Sequence, residues 1–319
     1  MEKIDKSRFA WVGSDPEKRE GMARPSVTYW KDAIGRLKKN RVAMVCLCII
    51  ILLILSCVII PWVTPFDSRE QHLSCSNKGF FFSCVDERYE GQNLVHVFGT
   101  DRLGHDMLVR TVAGLSTSIL IGLVAVAASS LIALALGCAS ALGGRKVDAA
   151  ITWIIDLMMG VPHIILLILI SYALGKGFWG VTVGVAITHW PSLCRVIRAE
   201  VLQVKQSRYV AISRQMGVRP LKIALHHIAP AVFPQLLVGL ILLFPHAILH
   251  EAAITFLGFG LPPEMPAIGV ILSESMSYLS SGMWWLAFFP GIALVIVVML
   301  FYAAGQCLRR LIDPHQAQR

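Results

Sequence analysis

The apolar positions of this 319-residue chain are gathered into long runs, and most charged positions lie between those runs. A helix needs roughly 20 apolar residues to cross a bilayer, because each residue advances it by about 1.5 Å. The pattern therefore predicts an all-α polytopic membrane protein with six transmembrane helices. The predicted spans are 42–63, 113–144, 149–175, 178–193, 229–259 and 283–308.

The composition excludes two other classes of protein. Hydrophobic residues make up 55% of the chain and charged residues 15%, whereas a soluble domain has about 25% charged residues. So few polar side chains cannot cover a water-facing surface, and low hydrophobicity is the signature of disorder. A soluble enzyme and a disordered chain are both excluded.

Basic residues are distributed unevenly around the predicted spans. Residues 1–41 contain 11 lysines and arginines and residues 195–222 contain seven, whereas residues 259–283 contain none. Cytoplasmic loops are enriched in such residues, so both termini are expected in the cytoplasm. The net charge of +9 then reflects membrane topology, and we expect no nucleic-acid partner.

These assignments divide the chain into five predicted parts. They are a cytoplasmic N-terminal segment 1–41, a first span 42–63, an extracytoplasmic segment 64–112, a transmembrane core 113–308 with a cytoplasmic loop 195–228, and a cytoplasmic tail 309–319.

Two of the eight cysteines, Cys75 and Cys84, lie in the predicted extracytoplasmic segment. Disulfides form in oxidising compartments such as a periplasm. A Cys75–Cys84 disulfide is therefore predicted, and two free thiols are the alternative.

The cytoplasmic loop 195–228 mixes basic and apolar residues in a helical pattern. Gly217 separates two helix-like stretches, 207–216 and 220–227, and Pro220 suits the first turn of the second helix. We expect a helix–turn–helix on the inner membrane face, which could receive a cytosolic partner. An amphipathic helix bound to anionic lipid is the alternative.

Ionisable residues inside the predicted spans are functional candidates, because a charge at membrane depth costs at least a few kcal/mol. Asp156 in the third span is predicted either to hydrogen-bond between helices or to line a translocation path. In the fifth span, His246 and His250 lie one helical turn apart, on one face, beside Glu251.

Histidines and a carboxylate in this arrangement suit borderline cations such as Ni²⁺ and Zn²⁺. His246, His250 and Glu251 are therefore candidate metal ligands on a translocation path. His163 of the third predicted span and His189 of the fourth add two further imidazoles. Interhelical hydrogen bonding is the alternative role for the same side chains.

Three stretches resemble the permease subunits of ABC importers. Residues 209–217, Tyr-Val-Ala-Ile-Ser-Arg-Gln-Met-Gly, followed by His-Ile-Ala-Pro at 227–230, are similar to the family's EAA loop. Residues 98–106 are similar to the GTDxxGRD signature of dipeptide, oligopeptide and nickel permeases, and residues 251–260 to their EASLSFLGLG stretch. The resemblance covers residues 30–315. Within the family, the chain is most similar to the "C"-type subunit, and this similarity implies the type I importer permease fold.

The resemblance also implies which residues couple this subunit to an ATPase. They are Tyr209, Ala211, Ser213, Arg214, Gly217, Pro220 and Pro230. The chain departs from the family pattern at Ala211-Ile212-Ser213, where a Glu-Ala-Ala triplet is usual, and at His105, where arginine is usual.

The implied partners are a second homologous permease, two cytosolic ABC ATPases, an extracytoplasmic binding protein and membrane lipid, in a bacterial inner membrane. No phosphate-binding loop of the G-x-x-x-x-G-K-[ST] type occurs in the sequence. We therefore expect a transport subunit that is not an enzyme and binds no cofactor itself, with ATP and Mg on the partner subunits. Nickel or a related metal complex is the first expected cargo. A di- or oligopeptide is the alternative, and a self-sufficient channel is the least favoured reading.

Overall fold

The computed structural model describes residues 35–64, 66–85 and 93–312. Its main helices, numbered along the chain, are α1 (Arg41–Val63), α2 (Met107–Leu142), α3 (Arg145–Gly160), α4 (His163–Ala173), α5 (Phe178–Lys205), α6 (Arg208–Gln215), α7 (Pro220–Ile223), α8 (Ala229–Phe256), α9 (Ile268–Leu279) and α10 (Trp285–Ile312). A π-helical turn, Ala224–Ile228, joins α7 to α8. Two short strands, β1 (Phe82–Val85) and β2 (Asn93–His96), precede α2.

Four of the described helices are long and apolar enough to cross a membrane, namely α1, α2, α8 with its π turn, and α10. Helices α3 and α4 pass this test only as a pair, and they are bent by 96° at their junction, as in a broken span or a re-entrant loop. The described residues thus provide four or five candidate spans, and the six predicted from the sequence are not confirmed. The predicted fourth span, 178–193, lies in α5, where His189 and a charged C-terminal half reduce the apolar content.

Helix α5 packs against α2, α4 and α8. Val185 of α5, Ile121 of α2 and Ile248 of α8 are fully buried in one hydrophobic cluster. Ser129 of α2 donates a hydrogen bond of 2.9 Å to the carbonyl oxygen of Ala186, which satisfies a hydroxyl group inside this core. Much of α5 is therefore packed against other helices, although Trp179 near its start is 69% exposed.

Charged groups tie the C-terminal ends of α2 and α5 to the start of α3. Arg198 donates from Nε and Nη2 to the two carboxylate oxygens of Asp148, at 2.6 Å each. Lys205 donates to the carbonyl oxygen of Ala141 at 2.8 Å. Bidentate pairing fixes the orientation of the guanidinium group. Three helix ends are thus held together directly before α6.

The predicted extracytoplasmic segment contains an antiparallel hairpin, which the all-α prediction missed. Strand β1 pairs with β2, with Phe82 opposite His96. A disulfide joins Cys75 to Cys84 of β1. Each strand has only four residues, and so short an alternation does not distinguish a strand in the sequence.

Helix α2 begins at Met107, six residues before the predicted boundary at 113. Asp106 is its N-cap residue, and its Oδ1 accepts a hydrogen bond of 2.9 Å from the backbone N–H of Val109. The cap satisfies a first-turn donor that has no partner within the helix. Arg110 does not interrupt the helix, because its side chain is buried among ionic partners. The predicted extracytoplasmic segment 64–112, called the outer segment below, thus includes the first residues of α2.

Candidate functional site

Helix α6 is the centre of the predicted coupling segment. Ser207 precedes its first turn in an extended conformation, and Val210 is fully buried in a hydrophobic cluster. The Ser213 hydroxyl lies 3.4 Å from Nε2 of His227 in the π turn, and the Tyr209 ring meets the same imidazole edge to face. One side of α6 is thereby held against the segment that leads into α8.

The surface of α6 that these contacts leave uncovered exposes apolar and basic side chains. Met216 is 77% exposed and Ile212 is 55% exposed, and Tyr209, Ala211 and Arg214 are also exposed. Exposed apolar groups gathered on one surface are typical of a docking surface for another protein. We define Tyr209, Ile212, Arg214 and Met216 as the coupling face.

Gly217 forms the turn that follows the coupling face. Its φ of +75° lies in the left-handed region, and its N–H donates to the carbonyl oxygen of Arg214 at 3.1 Å. A Cβ at this position would meet open space. The backbone conformation, and not crowding within this chain, therefore favours glycine here.

The second helix predicted after this turn, 220–227, is shorter than expected. Helix α7 covers only Pro220–Ile223, and the π turn then leads into α8. Pro230, exposed in the first turn of α8, has no N–H to donate to the carbonyl oxygen of His226. The N–H of Ala229 instead bonds five residues back, as a π turn requires. The stretch therefore leads directly into α8 and forms its irregular beginning.

Asp101 organises the turn before α2. Its Oδ1 accepts the backbone N–H groups of Leu103 and His105 at 2.9 Å each. Its Oδ2 lies 2.7 Å from Nδ1 of His105 and 2.6 Å from Nη1 of Arg110. Nη2 of Arg110 donates to Glu274 of α9 at 2.7 Å. Charged hydrogen bonds thus connect the turn, α2 and α9, and His105 takes part directly.

Gly104 allows the same turn to close. Its φ is +79°, and a Cβ at this position would overlap the carbonyl oxygen of His72. Glycine alone combines this conformation with such a close approach of another backbone segment. The glycine and the aspartate of the motif at 98–106 therefore both have structural roles.

The Asp101 carboxyl group predicts sensitivity of the outer segment to acid. Burial raises the pKa of Asp101, but the hydrogen bond from His105 and the charges of His105 and Arg110 outweigh it, so this pKa lies below its usual 3.8. Because the folded-state pKa is the lower one, ionised Asp101 stabilises the fold above pH 3.8 and loses that effect as pH falls through the folded-state pKa. We expect the unfolding temperature of the purified protein to decrease over this range.

The matched comparison is between two single variants, Asp101→Asn and Asp67→Asn, because Asp67 is an exposed carboxylate in the same segment. Asp101→Asn should weaken the pH dependence of the unfolding temperature below pH 3.8, whereas Asp67→Asn should preserve it. Equal pH profiles for the two variants would contradict the role given to Asp101.

Three histidines from three helices meet inside the protein. They are His163 at the start of α4, His189 of α5 and His250 of α8, and we name them the histidine cluster. Nε2 of His189 lies 3.0 Å from Nδ1 of His250. The ring centroid of His163 lies 4.6 Å from that of His189 and 4.4 Å from that of His250. One nitrogen of each ring lies within 4.8 Å of the others.

Of the three metal ligands predicted from the sequence, His250 lies in this cluster, whereas His246 and Glu251 do not. His246 is exposed. Glu251 is fully buried, and its Oε1 accepts a hydrogen bond of 3.0 Å from the Thr255 hydroxyl. Successive helix residues are rotated by about 100°, so His250 and Glu251 point in different directions. The imidazoles of α4 and α5 replace these two predicted ligands.

Asp156, the remaining predicted path residue, forms an ion pair with Arg195 that links α3 to α5. Both side chains are about half exposed. Sequence patterns did not indicate the Arg110–Glu274 pair, whose members are 164 positions apart. Only the packing of α9 against α2 brings that pair together.

Comparisons with known proteins agree with this fold. Residues 130–318 match the family described as binding-protein-dependent transport system inner membrane component, and residues 28–79 match the N-terminal TM domain of oligopeptide transport permease C. The chain is 32% identical over 314 residues to the oligopeptide transport system permease protein OppC of Bacillus subtilis (strain 168), covering 98% of this chain and 99% of that protein. It is 30% identical over 307 residues to the dipeptide transport system permease protein DppC of the same organism, covering 95% and 92%.

Among solved structures, the inward-facing MetNI methionine ABC transporter is similar with a TM-score of 0.54 and 19% identity. The similarity covers 65% of this chain and 96% of the other and indicates a shared type I permease fold. The relatives named above are permease subunits and not enzymes. The chain therefore belongs to the binding-protein-dependent inner-membrane transport components, as an ABC importer permease of the oligopeptide/dipeptide family.

Proposed function

We propose that this chain forms half of the translocation path of an ATP-driven importer for di- and oligopeptides. The observation that carries this proposal is its similarity, over nearly its whole length, to permeases named for oligopeptides and dipeptides. The expectation of nickel or a related metal complex as cargo depended on His246, His250 and Glu251, which do not form one cluster. Peptides therefore replace metal as the cargo.

The coupling face supports the partners in this proposal. The subunit would pair with a second homologous permease, two cytosolic ATPases that bind ATP and Mg, and an extracytoplasmic binding protein. Exposed Ile212 and Met216 offer apolar area to an ATPase. The contact between Ser213 and His227 would carry movement of α6 into the start of α8. A self-sufficient channel has no use for such a face, so the importer is favoured.

The outer segment supports a role in receiving peptide from the binding protein. A cavity of about 300 Å³ is lined by Asp101, Arg110, Glu274 and Tyr278. Charged groups of both signs therefore border an opening between α2 and α9, where a zwitterionic peptide would find complementary charges. In the proposed orientation both termini are cytoplasmic and this cavity faces outward, in a bacterial inner membrane.

Uptake measurements test the cargo. We expect this chain, expressed with its partner subunits in cells that lack other peptide permeases, to restore entry of a radiolabelled dipeptide. Excess unlabelled dipeptide should compete with that uptake, because both would use one path. Radiolabelled nickel should enter these cells no faster than it enters cells without the chain.

Two controls make this result specific. Cells that express the same subunits with an ATPase unable to hydrolyse ATP should accumulate no dipeptide. Nickel uptake that depends on this chain and ignores excess dipeptide would contradict the peptide assignment. Dipeptide entry without a functional ATPase would instead favour a channel.

A further inference from the structure

We infer that the histidine cluster, His163, His189 and His250, binds a divalent transition-metal ion of the Zn²⁺ class as a fixed ligand and not as cargo. Neutral imidazole is a preferred ligand of zinc and its neighbours in the first transition series. The proposed function assigns no role to these three side chains, so this inference does not depend on it.

The distances suit a shared ion. Zinc binds imidazole nitrogen at about 2.0–2.1 Å, so two nitrogens of a tetrahedral site lie about 3.3 Å apart. Nε2 of His189 and Nδ1 of His250 are already 3.0 Å apart. All three candidate nitrogens lie within 4.8 Å of one another, so closure requires side-chain movements of about 1.5 Å at most. Rotation of the side chains provides movements of this size.

A backbone hydrogen bond orients His189 for this role. Its Nδ1 lies 2.8 Å from the carbonyl oxygen of Val185, one turn earlier on α5. A carbonyl oxygen only accepts, so Nδ1 carries the proton and Nε2 presents its lone pair toward His250. Metal-bound histidines commonly hold their second nitrogen in this way, which fixes the tautomer and the ring direction.

His163 provides an independent indication of a ligand. Its Nε2 is buried, and it has no hydrogen-bond partner among the described residues. A buried polar atom without a partner is unfavourable and calls for an explanation. A metal ion bound at this nitrogen would supply the missing interaction.

A cavity of about 450 Å³ borders the cluster at His163. It is lined by His163, by Thr188 beside His189, and by Met158 and Met159 at the end of α3. Three protein ligands would leave a fourth zinc position open, and water in this cavity could occupy it. The bound ion would join the start of α4, directly after the 96° bend, to α5 and α8.

Metal binding by the intact importer complex tests the inference. The complex should be purified through an affinity tag without histidine, stripped with a chelator and then titrated with Zn²⁺. We expect one more bound ion per copy of this chain in the wild type than in His163→Gln, His189→Gln or His250→Gln. Each substitution should weaken binding by at least about tenfold. X-ray absorption of the bound zinc should show imidazole nitrogen at about 2.0 Å.

His226→Gln is the matched control, since His226 is an exposed histidine outside the cluster. This variant should bind as many ions as the wild type. His246→Gln separates the histidine cluster from the set predicted by sequence. Binding that requires His246 but not His189 would overturn the assignment.

Co²⁺ provides a second measurement that does not rely on the folding of a variant. Cobalt in a tetrahedral site absorbs visible light strongly, and Zn²⁺ should displace it from the wild-type complex. The wild type should also gain thermal stability on adding Zn²⁺, because the ion binds only the folded state. The inference is overturned if the tetrahedral cobalt spectrum is absent, or if the wild type binds no more zinc than the three cluster variants.

Discussion

Gly217→Trp is expected to reduce peptide uptake by tenfold or more while the chain remains in the membrane. A residue with a side chain costs roughly 1–2 kcal/mol in the left-handed conformation that Gly217 adopts at φ +75°. A Cβ at this position meets open space, so the added side chain projects next to the coupling face. A tenfold loss of affinity for the ATPase corresponds to about 1.4 kcal/mol, which is similar to the cost of this backbone conformation. Co-purification of the ATPases and initial rates of dipeptide uptake measure the effect.

The matched control is Gly282→Trp, at the turn between α9 and α10. Gly282 has a φ of +81° and likewise faces open space, so the same backbone strain arises far from the coupling face. This variant should retain its ATPases. Wild-type uptake by Gly217→Trp would show that the turn does not serve coupling, and loss of the ATPases from both variants would point to strain alone.

Arg110→Met is expected to destabilise the outer part of the protein by about 3 kcal/mol, at the lower end for breaking a buried ion pair. The side chains of Arg110 and Asp101 are only 10% and 13% exposed, so the substitution leaves the Asp101 carboxylate buried without its guanidinium partner. Glu274 is 39% exposed and can regain water, which limits the loss. The loss of stability is measured by thermal unfolding and by the rate of proteolysis of the outer segment.

Arg102→Met provides the control, because Arg102 is an exposed arginine in the same turn. Its stability should stay close to that of the wild type. Adding Asp101→Asn to Arg110→Met should recover part of the lost stability, since the side chain at position 101 then carries no charge. If Arg110→Met unfolds at the same temperature as Arg102→Met, the buried pair contributes little.

Patterns that are local in the sequence predicted the structure well. The apolar runs correspond to the long helices α1, α2, α8 and α10, because length and hydropathy alone define a membrane-crossing helix. The turn at Gly217 also follows from neighbouring residues, since glycine between two helix-like stretches favours a left-handed conformation.

Features that depend on distant residues were predicted less well. The i, i+4 spacing placed His246 and His250 on one face, but it could not show that His163 and His189 approach from α4 and α5. Likewise, hydropathy could not identify α5 as a helix packed largely against its neighbours. The membership of a cluster built from several helices is determined by their packing, which no single segment encodes.

The carboxylate of Asp106 contacts both the hairpin and helix α2. Oδ1 of Asp106 caps α2 through Val109, while Oδ2 lies 2.8 Å from Nδ1 of His96 at the end of β2. Asp106 and His96 are both buried, so neither contact is readily exchanged for water. Asp106 therefore links the end of the hairpin to the first turn of α2, which in turn packs along α5. Substitution of Asp106 should therefore disturb the hairpin and the start of α2 together.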